Sequence, residues 1–234
     1  MQGREALSGN GERLSAFCRR VLSECHGRTL LDLSLPSLDW CRVRGQHFGC
    51  RVLLLGESHY GEQLPEDESG FTRDIVVRLA LSRKPHPFFS KIGRLVGGVP
   101  LKTEEGRKTF WNSVAFYNYV QELAGTGPRQ RPTDAMWEAG GVPFAEVLER
   151  LRPHCLLIFG KQLAYRMTKP RALFTLGRLD GEEVKARAQL LQDGTEVVGL
   201  TVTHPSSGQF KYAHWNPRVK MLLEHARRSA TRVQ

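Results

Sequence analysis

The sequence predicts an α/β protein, a three-layer α/β/α sandwich with a mostly parallel central sheet. Three short apolar runs, over 51–56, 113–120 and 154–160, are typical of strands that are buried on both faces. Helical patterns of apolar residues lie between these runs, and strands that alternate with helices favour a parallel sheet covered on both sides. Ligands bind such sheets beyond the carboxyl ends of the strands, so we expect the functional residues there.

The other predicted elements complete this fold. Apolar residues at helical spacing predict helices over Ser8–Cys25, Thr72–Ser82, Phe88–Val96, Phe144–Leu151 and Pro217–Arg228. The Asp193-Gly194 turn signal separates the apolar stretches 189–192 and 196–203, which predicts a hairpin and an added antiparallel strand. We expect one domain over 51–234, with residues 1–50 forming a helix and a loop packed on it.

Composition narrows the classes of function. The chain has 234 residues and a formal net charge of +10, which favours a polyanionic partner such as nucleic acid. No apolar run approaches the roughly 20 residues of a membrane helix, and no secretory signal is visible. The five cysteines have neither zinc-site nor disulfide spacing. We therefore expect a cytoplasmic, monomeric protein without metal or cofactor, and no membrane partner.

Polar motifs stand directly after three predicted strands. The first strand runs into Gly56-Glu57-Ser58-His59-Tyr60-Gly61, the second ends near Asn118, and the last runs into His204-Pro205-Ser206-Ser207. Burying the Asn118 amide without a partner costs roughly 1–3 kcal/mol, so this side chain is either tied to a neighbouring loop or reserved for a ligand.

These motifs, in this order, resemble the uracil-DNA glycosylase superfamily from about Arg51 to Glu224. The motif after the family's first strand reads GQDPYH in one branch and GEAPG in others, and GESHYG shares features of both. Phe71 lies fifteen residues after Gly56, the separation at which the first branch places a base-stacking ring. The HPSS sequence matches the second active-site motif, which is usually close to HPSP.

The resemblance implies a DNA glycosylase that flips uracil or another deaminated base, such as hypoxanthine, and hydrolyses its N-glycosidic bond. The implied catalytic residues are Glu57, Ser58 and His204. The implied base pocket consists of Gly56, His59, Tyr60, Phe71 and Asn118. The implied DNA contacts are Lys161, Ser206, Ser207, Phe210 and Lys211.

The resemblance also implies a role for most of these residues. Phe71 stacks on the base, Asn118 pairs with its N3 and O4 edge, and Tyr60 fills the space beside C5. His204 donates to the pyrimidine O2, while Glu57 or Ser58 holds the attacking water. Ser206 and Ser207 hold phosphate, and the loop around Phe210 and Lys211 supplies a wedge that replaces the flipped base.

The departures from the family pattern leave two alternatives open. Ser58 occupies the place of the aspartate that positions water in the GQDPYH branch, and His59 replaces a proline, so the chain is alternatively a catalytically weak or inactive DNA-binding protein. Glu57 and His59 also resemble the Gly-Glu-x-His start of some esterase-like enzymes, which predicts an unrelated Glu/His-dependent hydrolase. The cysteines do not fit the iron–sulfur cluster of the GEAPG branches.

Overall fold

A computed structural model describes residues 48–61, 77–127 and 130–231. The strands are β1 Val52–Gly56, β2 Ala115–Asn118, β3 Cys155–Phe159, β4 Ala172–Leu179, β5 Glu182–Leu190 and β6 Glu196–Val202. The helices are α1 Pro87–Gly97, α2 Glu104–Asn112, α3 Asp134–Ala139, α4 Gly141–Leu151, α5 Lys161–Arg166 and α6 Tyr212–Thr231. The predicted Ser8–Cys25 helix and the first five residues of the Thr72–Ser82 helix lie outside the described residues, while 77–80 are helical.

The six strands form one mostly parallel sheet with the order β2-β1-β3-β6-β5-β4. The first four strands in this order pair in parallel, while β5 pairs antiparallel with β6, and β4 pairs antiparallel with β5. The predicted hairpin across Asp193-Gly194 is confirmed, because β5 and β6 pair on either side of it. The carboxyl ends of β2, β1, β3 and β6 therefore lie at one edge of the sheet.

Alternate residues of the central strands bury opposite faces, which confirms helices on both sides. Val52 and Leu54 pack into a core with α1, α2 and α6, whereas Leu53 and Leu55 pack into a second core with α3, α4 and α5. All four side chains are fully buried. This double burial explains why the strand has no polar residue and no alternation.

The last helix begins earlier than predicted. We expected it to start at Pro217, but α6 starts at Tyr212 and contains this proline in its second turn. Because proline has no N–H group, the Ala213 carbonyl lacks the helical hydrogen bond that another residue at 217 would donate. The five additional residues place the start of α6 close behind the HPSS motif.

Among the described residues, no helix is long and apolar enough to cross a membrane.

Candidate functional site

The GESHYG loop is held by the segment that follows β2. The Gly56 and Glu57 carbonyls accept hydrogen bonds from the N–H groups of Tyr119 (3.0 Å) and Val120 (2.9 Å). Further along, the His59 carbonyl accepts from the Ala124 N–H at 3.0 Å. The loop is thus fixed by main-chain bonds that leave its side chains available for other contacts.

Asn118 lies beside Gly56 at the carboxyl edge of the sheet. The two residues are partners in the parallel pairing of β1 and β2. A Cβ at position 56 would lie 2.1 Å from the Asn118 Oδ1, so the amide reaches over the glycine. Asn118 is only 4% exposed, yet its side chain makes no hydrogen bond to any residue that the structure describes. A buried amide with no hydrogen bond to the described residues can donate to and accept from a ligand.

Glu57 faces a cation from another loop. Its carboxylate Oε1 accepts from Arg131 Nη1 at 3.2 Å, and its side chain is 12% exposed while that of Arg131 is 61% exposed. The neighbouring Ser58 hydroxyl is buried and has no hydrogen-bond partner within the described ranges. The two side chains thus provide a mostly buried carboxylate and an unused hydroxyl in consecutive positions.

The other residues of the predicted base pocket differ in their exposure to solvent. Burial lowers the pKa of His59 to about 4, so its imidazole is neutral at physiological pH. Tyr60 is 39% exposed, so its ring is accessible to a ligand. Phe71 lies outside the described residues, so its stacking role stays a prediction.

His204 follows β6 and has a defined tautomer. Its Nδ1 accepts the Ser206 backbone N–H at 3.2 Å, so the proton of the neutral ring is on Nε2. Burial, and then the positive charges of Arg131 and Lys91, lower the pKa of His204 and favour this neutral form. The ring of Phe88 stacks on the imidazole at 5.2 Å between centroids. His204 therefore presents a single N–H donor from a fixed ring.

Contacts within the HPSS loop and to α1 hold its shape. The Ser207 N–H donates to the His204 carbonyl at 2.8 Å, and the Ser207 hydroxyl accepts from the Gln209 N–H at 3.2 Å. Lys91 donates to the Pro205 carbonyl at 2.7 Å. Ser206 remains exposed.

The remaining predicted DNA contacts lie around this loop. Phe210 is half-buried, with its ring edge-on to Tyr212 at 5.1 Å and the Lys91 ammonium 6.0 Å from its centroid. Lys161 and Lys211 are exposed. The wedge role of the Phe210 loop stays a prediction, and in the described structure the Phe210 ring packs against the body of the protein.

Three residues of the site were not assigned a role from the sequence. Phe88 and Lys91 come from α1, and Arg131 comes from the loop before α3. The sequence Pro87-Phe88-Phe89 at the start of α1 is a weak signal for Phe88. A ring in the first turn of a helix is only partly covered by its own helix, so it is available to contact another part of the protein. Nothing local marks Lys91 or Arg131.

Among the described residues, no cluster of three or more His, Cys, Asp or Glu side chains is arranged to hold a metal ion.

Comparison with known proteins provides no family assignment. Neither a scan against protein-family models nor a search of curated proteins finds a match to this chain.

Proposed function

We propose that this protein is a DNA glycosylase that flips uracil or another deaminated base and hydrolyses its N-glycosidic bond. The observation that carries the proposal is the buried amide of Asn118, which makes no hydrogen bond to a described residue, at the same sheet edge as the fixed N–H donor of His204. The strands that bear them are separated by β1 and β3, a span of roughly 14 Å between backbones. In this proposal the flipped base lies between these two side chains.

Asn118 selects the base in this mechanism. Its amide has one acceptor and one donor group, which match the N3–H and O4 of uracil, whereas cytosine presents an N3 acceptor and an N4 donor. A cytosine in the pocket would leave buried polar groups unpaired. Sites built on such hydrogen bonds discriminate strongly, because the wrong ligand leaves the desolvated groups unsatisfied.

His204 stabilises the departing base. Cleavage of the bond between base and sugar leaves negative charge on the base, and an Nε2–H aimed at O2 meets this charge as it develops. A preorganised donor of this kind contributes a factor of about 10²–10³ in rate. The Ser206 bond keeps the proton on Nε2 without requiring a charged imidazole.

Glu57 and Ser58 complete the hydrolysis. The carboxylate of Glu57 accepts a proton from, or orients, the water that attacks the sugar, a contribution of about 10²–10⁴ for general-base catalysis. Arg131 holds this carboxylate in one position. The Ser58 hydroxyl, which has no partner among the described residues, serves as a second group for the same water.

The test is an excision assay on labelled oligonucleotides. Strands with uracil, hypoxanthine, xanthine or a uracil mismatch are incubated with the protein, and abasic sites are then cleaved with alkali. We expect cleavage with at least one damaged base, and at least a tenfold slower uracil excision by Asn118→Asp, the loss of a buried polar contact of roughly 1.4 kcal/mol or more. The variant must retain the wild-type melting temperature.

Two outcomes would contradict the proposal. The absence of abasic product from every substrate would exclude the reaction on these bases. Unchanged excision by a folded Asn118→Asp variant would show that the amide does not touch the base.

A second candidate, a DNA-binding protein with weak or no catalysis, is favoured by the contacts of Glu57. The Arg131 guanidinium already occupies the carboxylate, and Ser58 cannot replace an aspartate as a base. This candidate predicts DNA binding without abasic product in the same assay.

A further inference from the structure

A groove of about 680 Å³ adjoins the candidate site on the side of α5 and the antiparallel strands. Two of its lining residues are tied to the site: Lys161 is a predicted DNA contact, and Thr203 precedes His204 in the chain. A Cβ added at Gly160 would lie 4.0 Å from the His204 ring. The groove thus lies next to the residue that precedes the HPSS loop, and its volume is in the range of sites for small organic ligands.

The rim of the groove carries an exposed aromatic ring. Tyr165 on α5 is 85% exposed, the most exposed large hydrophobic side chain among the described residues. It lies one helical turn after Lys161, so the ring and the ammonium are on the same face of α5. Leu173 on β4 is also exposed, and the buried Leu200 forms part of the apolar floor. This arrangement leaves a flat ring beside a positive charge and an apolar surface.

The charges that line the groove are mostly positive. The carboxylates of Glu182 and Glu183 are each already paired with a cation, Arg218 at 2.7 Å in the first case and Lys185 in the second. Lys161, Lys169 and Arg187 also line the groove, and no carboxylate within the described ranges pairs with them. Five lysine and arginine side chains thus line the groove against two carboxylates, which gives it an excess of positive charge.

Arg187 is the least expected of these cations. It is only 6% exposed, and its two terminal nitrogens donate to the carbonyls of Ala164 (2.6 Å) and Thr168 (3.3 Å). Its Nε is buried without a hydrogen-bond partner in the described part of the chain. A buried cation without a counter-charge is costly, and an anion in the groove would reduce that cost.

We infer that this groove binds single-stranded DNA, with one base stacked on Tyr165 and the backbone phosphates beside Lys161 and Lys169. A basic groove with an aromatic platform is the arrangement by which proteins hold single strands, because every base offers a ring face while the backbone is negative throughout. The inference rests on the proposed function only in taking DNA as the polymer. In a duplex the bases are stacked on each other and cannot reach Tyr165.

The test measures binding of an undamaged, fluorescently labelled single-stranded oligonucleotide by fluorescence anisotropy at fixed salt concentration. Tyr165→Ala should weaken binding about tenfold, because stacking on an aromatic side chain contributes about 1–3 kcal/mol per base. Tyr165→Phe keeps the ring and should bind within twofold of wild type. Val142→Ala, which truncates another exposed hydrophobic residue away from the groove, is the matched control and should not change binding.

A second variant tests the electrostatic part. Lys169→Ala should weaken binding and reduce the slope of log K against log salt by about 0.7, the value for one phosphate contact on a single strand.

In Tyr165→Ala, the affinity for duplex DNA should change less than the affinity for single-stranded DNA. Wild-type affinity of Tyr165→Ala for the single strand, or an equal loss on single strand and duplex, would overturn the inference.

The same variants separate this inference from the proposed reaction. If no base is excised but Tyr165→Ala still loses single-strand binding, the groove stands and the glycosylase proposal fails. If excision occurs and Tyr165→Ala binds single strands like wild type, the reaction stands and the groove assignment fails.

Discussion

At the scale of single residues, His204 is the side chain whose state is most fully determined by its neighbours. Ser206 fixes the tautomer through Nδ1, Phe88 stacks on the ring, and burial with the charges of Arg131 and Lys91 keeps it neutral. The same Lys91 holds the loop through the Pro205 carbonyl. These contacts come from three separate parts of the chain and prepare one donor before any ligand arrives, which is how electrostatic catalysis avoids reorganisation during the reaction.

We expect His204→Ala to lower the single-turnover rate of excision by about 10²–10³, because the variant loses a donor that acts mainly on the transition state. Affinity for damaged DNA should change by less than about twofold, since such a donor contributes little to ground-state binding. The rate is measured with enzyme in excess and the affinity by anisotropy. A parallel loss of affinity and rate would instead indicate that His204 shapes the loop.

At the scale of elements, the pairing of β1 with β2 determines the position of Asn118. The register places Gly56 directly beside Asn118, and the amide occupies the space where any other residue would carry its Cβ. The requirement for glycine here is close approach, since the backbone conformation of Gly56 is not in the left-handed region. The strand end thus combines a missing side chain on one strand with a buried amide side chain on the next.

Gly56→Ala should therefore displace the Asn118 amide and slow uracil excision about tenfold or more, because misplacement of a binding group by about 1 Å can cost up to 10²-fold. Overpacking should also lower the free energy of unfolding by about 1–3 kcal/mol. Gly127→Ala is the matched control, because its new Cβ would meet no atom within 4 Å. Excision by Gly56→Ala at the wild-type rate would show that the position of the amide does not matter.

Predictability from the sequence differs between elements for a physical reason. The strands β1, β2 and β3 were predicted because burial on both faces produces continuous apolar runs. The edge strand β4 has no such pattern, since all of its residues are exposed or half-buried, and Thr175 and Gly177 interrupt its apolar residues. A signal did exist in Asp180-Gly181, which both have positive φ and form the turn between β4 and β5.

The site divides in the same way. Glu57, Asn118 and His204 could be placed at one sheet edge from the sequence, because each directly follows or ends a recognisable strand. Phe88, Lys91 and Arg131 could not, because their approach to His204 depends on how α1 and a long loop pack against the sheet. A residue at a strand end can be placed from the strand's own pattern. A residue that reaches the site from a helix or a loop has no such local pattern to mark it.

At the scale of the whole molecule, the fold holds several histidines in their neutral form. Burial lowers the pKa of His59 and His154 to about 4, and it also lowers the pKa of His204 and His214. The His154 Nδ1 accepts the Arg51 N–H at 2.9 Å where the chain enters β1, so this neutral ring is part of the structure. The side chains lie in different parts of the protein, and their effects on stability should add.

These shifts predict a loss of stability on mild acidification. A histidine with a pKa near 6.5 when unfolded and about 4 when folded takes up a proton only on unfolding between these values, so the free energy of unfolding should fall as the pH decreases from about 6.5 to about 4. The pKa of Asp193 is lowered to about 2. Its contribution to the free energy of unfolding is therefore lost only as the pH falls below about 4, the usual pKa of an aspartate. Urea unfolding at several pH values between about 7.5 and 4 should therefore show a falling midpoint. His154→Asn, whose Oδ1 can accept the same N–H without titrating, should show a shallower fall. A constant midpoint over this range, in both proteins, would mean that the histidines are accessible to protons in the folded state.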